Sequence, residues 1–235
     1  MPQIRLIIGA LFILCALPRL NAQGDPSTDP ADTNVAQPVH RSEAKRLFGI
    51  IPNYRTSETL HPYTPISAKQ KFHLAAQDSF DRGTILLAAA FAGLDQITNS
   101  EKSYGQGVEG YAKYWASEYA TFVIGNYMTE AALPTLLHQD PRYFRMGCCG
   151  WKRVGYAIGQ IAWTHSDSGR GQFNFSEIGG NSIAVGISEA WSRDDRTAGK
   201  FASGLATQLG VDAAVNVLKE FWPDIDRALS RRRER

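Results

Sequence analysis

Glu130, His165 and Asp212 stand where a helix would turn chemistry-bearing side chains inward. On a helical projection Glu130 flanks an apolar stripe, and Asp212 falls inside the arc made by Phe201, Leu205 and Val215. His165 continues the stripe of Val154, Ile158 and Ile161. Burying an unpaired charge costs on the order of several kcal/mol, so such residues are expected to be paired, protonated or bound to something. Two carboxylates and an imidazole between helices are the parts of a proton shuttle or of a metal-dependent hydrolase. Neither an ExxH nor an HExxH spacing links the three, so a hydrogen-bonded network that fixes helix register is the stronger reading. Asn126, Gln208, Glu177 and Asn181 face the same choice, and helix capping accounts for Glu177 without chemistry. No G-x-S-x-G is present, and the "DSG" at 167–169 lies in a polar loop beside Arg170, so a serine nucleophile is not indicated. No metal and no cofactor is called for by these spacings.

A second concentration of reactive types is "HQDPRYFRMGCCGWKR", residues 138–153. Asp140-Pro141 signals a turn. After it Arg142, Arg145, Lys152 and Arg153 meet no acidic neighbour in sequence, and Tyr143, Phe144 and Trp151 stand among them. Cations interleaved with amphipathic aromatics suit an anionic lipid headgroup surface or an anionic envelope polymer. The competing reading has the aromatics packed inward and the cations left in water. Adjacent Cys148 and Cys149 fit neither zinc nor CxxC redox spacing. In an oxidising compartment they close a disulfide between neighbours, cross-link two chains, or serve as two small residues of a tight turn.

The elements that must position these residues read as helices. Ser67 caps "ISAKQKFHLAAQDSF", and "RGTILLAAAFAGLDQITN" follows Asp81 with apolar residues on every side, as a buried central helix would have. "GQGVEG" matches G-x-G-x-x-G at Gly105, Gly107 and Gly110, but no strand precedes it, so a dinucleotide site is rejected in favour of a loop entering a helix. That helix is predicted from about Val108 to Leu137, with Val108, Tyr111, Trp115, Tyr119, Phe122, Leu133 and Leu137 on one stripe and a kink at Pro134. "GWKRVGYAIGQIAWTH" is predicted as a further helix with Gly155 and Gly159 at close-packing spacing. "NFSEIGGNSIAVGISEAW" opens on an Asn174/Glu177 capping box. The last helix opens on Asp194 and Asp195 and is ended or bent by Pro223. The expected fold is all-α, a compact bundle of about six helices rich in glycine and alanine contacts. A β-barrel is the weaker alternative, because regular alternating segments are missing.

The ends complete the organisation. Residues 1–22 combine Arg5, an apolar run from Leu6 to Leu17 and a small residue at Ala22, the pattern of a cleaved export signal. Removing two of the 25 basic residues with that segment leaves them equal in number to the 23 acidic ones, which gives no reason to expect nucleic acid as a partner. Residues 23–65 read as a proline-rich polar linker followed by an extended segment along the body. Residues 66–235 are the α-helical domain, with "RRRER" as a solvated tail.

"LLHQDPRYF", "FNFSEIGGN" and "NVLKEFWPDI" together resemble an uncharacterised family of exported bacterial proteins over most of residues 45–225. That resemblance implies export and a shared fold and says nothing of chemistry. The sequence therefore points to an exported protein of the periplasm or outer envelope. It would be non-catalytic and act through membrane-surface or protein contacts, with the hydrolase built on Glu130, Asp212 and His165 as the alternative.

Overall fold

The computed structural model describes residues 46–57, 60, 62–191 and 196–233. The expected signal segment, most of the linker, and Asp194 and Asp195 lie outside the described residues. Among the described residues six helices carry the fold, as the periodicity predicted. They are α1 (Ala68–Ser79), α2 (Arg82–Thr98), α3 (residues 107–136), α4 (Lys152–Gly159), α5 (Phe175–Trp191) and α6 (Ala198–Arg233). Among the described residues there are also seven short strands: β1 (Arg46–Leu47), β2 (Ile51–Pro52), β3 (Thr56–Ser57), β4 (Gln139–Asp140), β5 (Tyr143–Phe144), β6 (Trp163–Ser166) and β7 (Gly171–Phe173). β4, β6 and β7 form an antiparallel sheet, β1 pairs β2, and β3 runs parallel to β5.

Local chemistry starts and stops the helices. Ser67 caps α1 in a closed box, accepting from the Gln70 amide at 3.3 Å while the Gln70 side chain accepts from Ser67 N–H at 2.7 Å. Asp81 caps α2, accepting from Gly83 N–H at 2.7 Å, and Asn99 ends it in the left-handed conformation. α2 is not the buried central helix its composition suggested. Its small residues Gly83, Ala88 and Ala92 face inward, while Ile85, Leu86 and Ile97 are exposed.

α3 follows the predicted span but not the predicted face. Val108 and Leu137 are exposed, and the buried positions include Gly110, Tyr114, Thr121 and Gly125. The kink expected at Pro134 appears as a π-helical turn over Tyr127–Ala132, in which Leu133 N–H reaches back five residues to the Met128 carbonyl. Pro134 has no N–H, and its ring crowds the carbonyl four residues earlier, that of Glu130; widening the preceding turn relieves the crowding. Gly180 of α5 lies against this turn. A Cβ there would stand 2.8 Å from Thr129 N, so only glycine permits the approach.

Three further expectations are corrected. The helix beginning near Trp151 ends at Gly159, and β6 follows, so His165 lies on a strand; Gly155 and Gly159 meet no close neighbour. Asn174 does cap α5, accepting from Glu177 N–H at 3.1 Å. The reciprocal half of the box is absent, because Asn174 N–H bonds the Ala162 carbonyl. Pro223 neither ends nor interrupts α6. The carbonyl it leaves without a helical donor, that of Lys219, accepts from the Arg145 guanidinium at 3.2 Å.

The distribution of side chains is unusual. Among the described residues the buried Leu, Ile, Val and Met side chains are Leu47, Val185 and Val211, while Lys71, Asp78, Asp81, Glu130, Asp140, Glu177, Lys219 and Glu220 are all buried. Buried charge on this scale requires partners for each group. Among the described residues no helix is long and apolar enough to cross a membrane.

Candidate functional site

Arg55 is the centre of the buried charge. Parallel pairing draws its segment inward: Tyr143 N–H donates to the Arg55 carbonyl and Arg145 N–H to that of Ser57, each at 3.0 Å. The side chain then enters a space bounded by the end of α1, the π turn of α3, α5 and α6. Its Nε lies 3.3 Å from Glu130 Oε1 and 3.7 Å from Asp78 Oδ2. Burial alone would weaken the guanidinium as an acid-held charge, but Glu130, Glu177, Asp78 and Asp212 outweigh it and raise the pKa above its already high value. Lys219 completes the set from α6; burial and the nearby guanidinium lower its pKa, and the carboxylates oppose them.

The carboxyl groups fall into two facing pairs. Burial pushes Asp78 and Glu130 up, Glu130 well above the ordinary range, and each carboxyl acts on the other. Burial and the neighbouring Asp212 together push Glu177 up to about 8. Asn181 donates to Asp212 Oδ2 at 3.0 Å, which fixes the second pair between α5 and α6. Four carboxyls thus face two cations, Arg55 and Lys219, and the upward shifts at Asp78, Glu130 and Glu177 follow from burying more acidic than basic groups. Asp78 Oδ1, Glu130 Oε2 and the Ser79 hydroxyl still lack hydrogen-bond partners among the described residues. Each such group costs about 1–3 kcal/mol.

A cavity of about 30 Å³ touches one side of the cluster, at Arg55, Thr129 and Glu177, and is otherwise lined by polar groups including Gln160, Asn174 and Asn216. It has room for about two waters and not for a substrate-sized molecule. Its polar walls are largely engaged: Tyr143 bonds Glu220 at 2.7 Å, Thr164 bonds the Asp140 carbonyl at 2.8 Å and Arg142 is bound to Asp140. Glu177, whose carboxyl burial holds at about 8, is the cluster's carboxyl on the wall of this cavity.

Glu130 and Asp212 are thus brought into one cluster, as their inward placement suggested. His165 is not with them. It packs edge-on against Phe144, with ring centroids 5.2 Å apart, and lies opposite Asp140 in the sheet. Among the described residues no group of three or more His, Cys, Asp or Glu is arranged to hold a metal ion. The capping account of Glu177 was incomplete, since its backbone is capped while its side chain joins the cluster.

The aromatic and basic residues of 142–153 do not form one surface. Tyr143 and Phe144 are buried because β5 pairs with β3, with Tyr143 bonded to Glu220. Arg142 is held by Asp140 at 2.6 Å and the Thr64 carbonyl. Arg145 meets the Lys219 carbonyl, and Arg153 pairs with Asp224 at 2.7 Å over the Phe221 ring. Trp151 and Lys152 remain exposed.

Sequence reasoning missed Arg55, Asp78, Lys71, Lys219 and Glu220. Lys71 is buried with its ammonium on Asp167 at 2.6 Å and the Pro134 carbonyl at 3.1 Å. The adjacent Lys219-Glu220 before the apolar Phe221-Trp222 was an available signal; Arg55 offered none, having no helical neighbours to set a face.

No family model matches the chain, and no curated protein or solved structure is similar to it.

Proposed function

We propose that the chain is an exported protein of the bacterial envelope that works by contact, not catalysis, and that its contact surface docks on lipid. The observation that carries this is the outer face of α5. Phe175, Ile183, Ile187, Ala190 and Trp191 are exposed there, and the charged residues of the helix, Glu177 and Glu189, lie off that face or inward. Trp163, which pairs across the hairpin with Phe173, extends the strip; Phe173 and Phe175 stand edge to face at 4.8 Å. Seventeen helical residues span about 25 Å. The exposed apolar residues thus form two groups, Trp163, Phe173 and Phe175 at the start of the helix and Ile183, Ile187 and Trp191 in its second half, where Arg196 donates to the Ala190 carbonyl at 2.8 Å. Each group carries a tryptophan, and indole rings favour the boundary between hydrocarbon and water. Export rests on the pattern of residues 1–22 and on the resemblance described above.

Flotation of the full chain with phospholipid vesicles tests the reading. Binding is expected to both neutral and anionic vesicles, since inserting each large side chain contributes about 1.5–3 kcal/mol through apolar burial. Ile183→Glu with Ile187→Glu is expected to leave the melting curve intact and reduce binding at least tenfold. A chain that stays with the protein fraction, or a double variant that floats as well as the parent, would sink the proposal. Concentration-dependent self-association that the same substitutions abolish would assign the strip to a second copy of the chain.

A further inference from the structure

Cys148 and Cys149 are bonded to each other, and both residues are exposed. A disulfide stabilises a fold mainly by restraining distant parts of the unfolded chain, and one between neighbours restrains almost nothing. Its purpose is therefore chemical or local. The local geometry is distinctive: Cys149 has φ +73°, a conformation that side chains other than glycine rarely adopt, and Gly147 at +69° and Gly150 at +56° share the turn. The turn is clamped on both sides. The Glu220 carboxylate, buried on α6, accepts from Gly147 N–H at 2.8 Å, from Met146 N–H at 3.0 Å and from the Tyr143 hydroxyl. Beyond it Arg153 is tied to Asp224. Between the clamps stand the sulfur pair and Trp151, which is 87% exposed.

We infer that the Cys148–Cys149 bond is a thiol–disulfide exchange site whose co-reactant is a dithiol, in the cell a dithiol protein. One thiolate of the reductant attacks an exposed sulfur, the bond between the cysteines breaks, and the departing sulfur leaves as a thiolate and takes a proton from water. The second thiol of the reductant then loses its proton, attacks the mixed disulfide, closes its own disulfide and releases the other cysteine, which is protonated in turn. Two electrons and two protons pass to the pair. Opening the ring frees Cys149 from the left-handed conformation and shifts Trp151, while the Glu220 clamp keeps the movement within residues 147–151. The site is independent of lipid docking.

The test uses the full chain with Cys15→Ser, so that only the pair reports. Dithiothreitol under native conditions is expected to raise the free thiol count from none to two per chain, to change tryptophan emission, and to leave the far-ultraviolet circular dichroism unchanged. Trp151→Phe should abolish the emission change, and Cys148→Ser with Cys149→Ser should show neither response. Phenylarsine oxide should bind one to one only after reduction. Thiols already free in the air-oxidised protein, a covalent dimer on a non-reducing gel, or a bond that opens only after unfolding would each overturn the assignment.

Discussion

Glu177→Gln probes the cluster at the group whose protonation most directly meets water. In the folded protein burial and Asp212 hold this carboxyl at about 8, against 4.5 for an ordinary glutamate. Between those values the folded form keeps a proton that the unfolded chain has already released, so the group's contribution to stability is present below about pH 4.5. That contribution is lost as pH rises through about 8. At about 1.4 kcal/mol per pH unit the full loss would be about 4–5 kcal/mol. The polar cavity beside Glu177 has room for water that would screen part of it, so about 2 kcal/mol is the expected effect at pH 8.5. Glutamine copies the protonated form in shape and donates to Asp212 without titrating. Urea unfolding at a series of pH values from 5 to 9 is the assay. The parent should become more stable on mild acidification, the reverse of ordinary acid destabilisation. Glu177→Gln should flatten the profile and exceed the parent at pH 8.5. A parent that gains stability from pH 5 to 8, or a variant whose slope matches the parent's, would refute the argument.

Other perturbations reach the same core from different sides. Arg55→Met removes the cation shared by the carboxyls, and urea unfolding should show a loss of about 3–5 kcal/mol at pH 8 that narrows toward pH 5, where the carboxyls carry protons. Gly180→Ala forces a methyl against the Thr129 backbone, and should cost about 1–3 kcal/mol by thermal melting, more than Gly155→Ala, where nothing stands within 4 Å. Glu118, which burial and Asp95 push up to about 8 at the α2–α3 contact, adds to the same loss of stability on alkalinisation; Glu118→Gln should reduce it.

The helices were legible because their starts and stops are local. Ser67, Asp81 and Asn174 each bond an amide two or three residues away, and such bonds need no knowledge of the rest of the fold. Glu130 was legible as a misfit on the flank of an apolar stripe, and Asp212 as one inside an apolar arc. Arg55 was not, because its position depends on β3 pairing with β5, residues nearly ninety positions apart whose meeting leaves no trace in either segment alone. His165 was misplaced for a related reason. The helix from Lys152 stops at Gly159, and β6 is set by its partners Gln139–Asp140 and Gly171–Phe173, not by its own composition.

The outward bulky residues of α2 and α5 show a deeper limit. Periodicity reveals that two faces of a helix differ; it does not say which one turns inward. In α2 the bulky residues Ile85, Leu86 and Ile97 look outward, and in α5 Ile183 and Ile187 do the same. What turns these helices is steric access. Gly83 admits the Ile50 carbonyl, and Gly180 admits the π turn, so the small faces can approach neighbouring backbone where the large ones cannot. Close approach then brings Glu177 and Asn181 to Asp212, and a polar network occupies space that leucine and isoleucine would otherwise fill. The apolar residues are left on the outside by the same geometry that builds the charged interior. An exposed apolar face and a buried charged core are therefore two consequences of one packing choice, and substitutions that enlarge Gly180 should disturb both together.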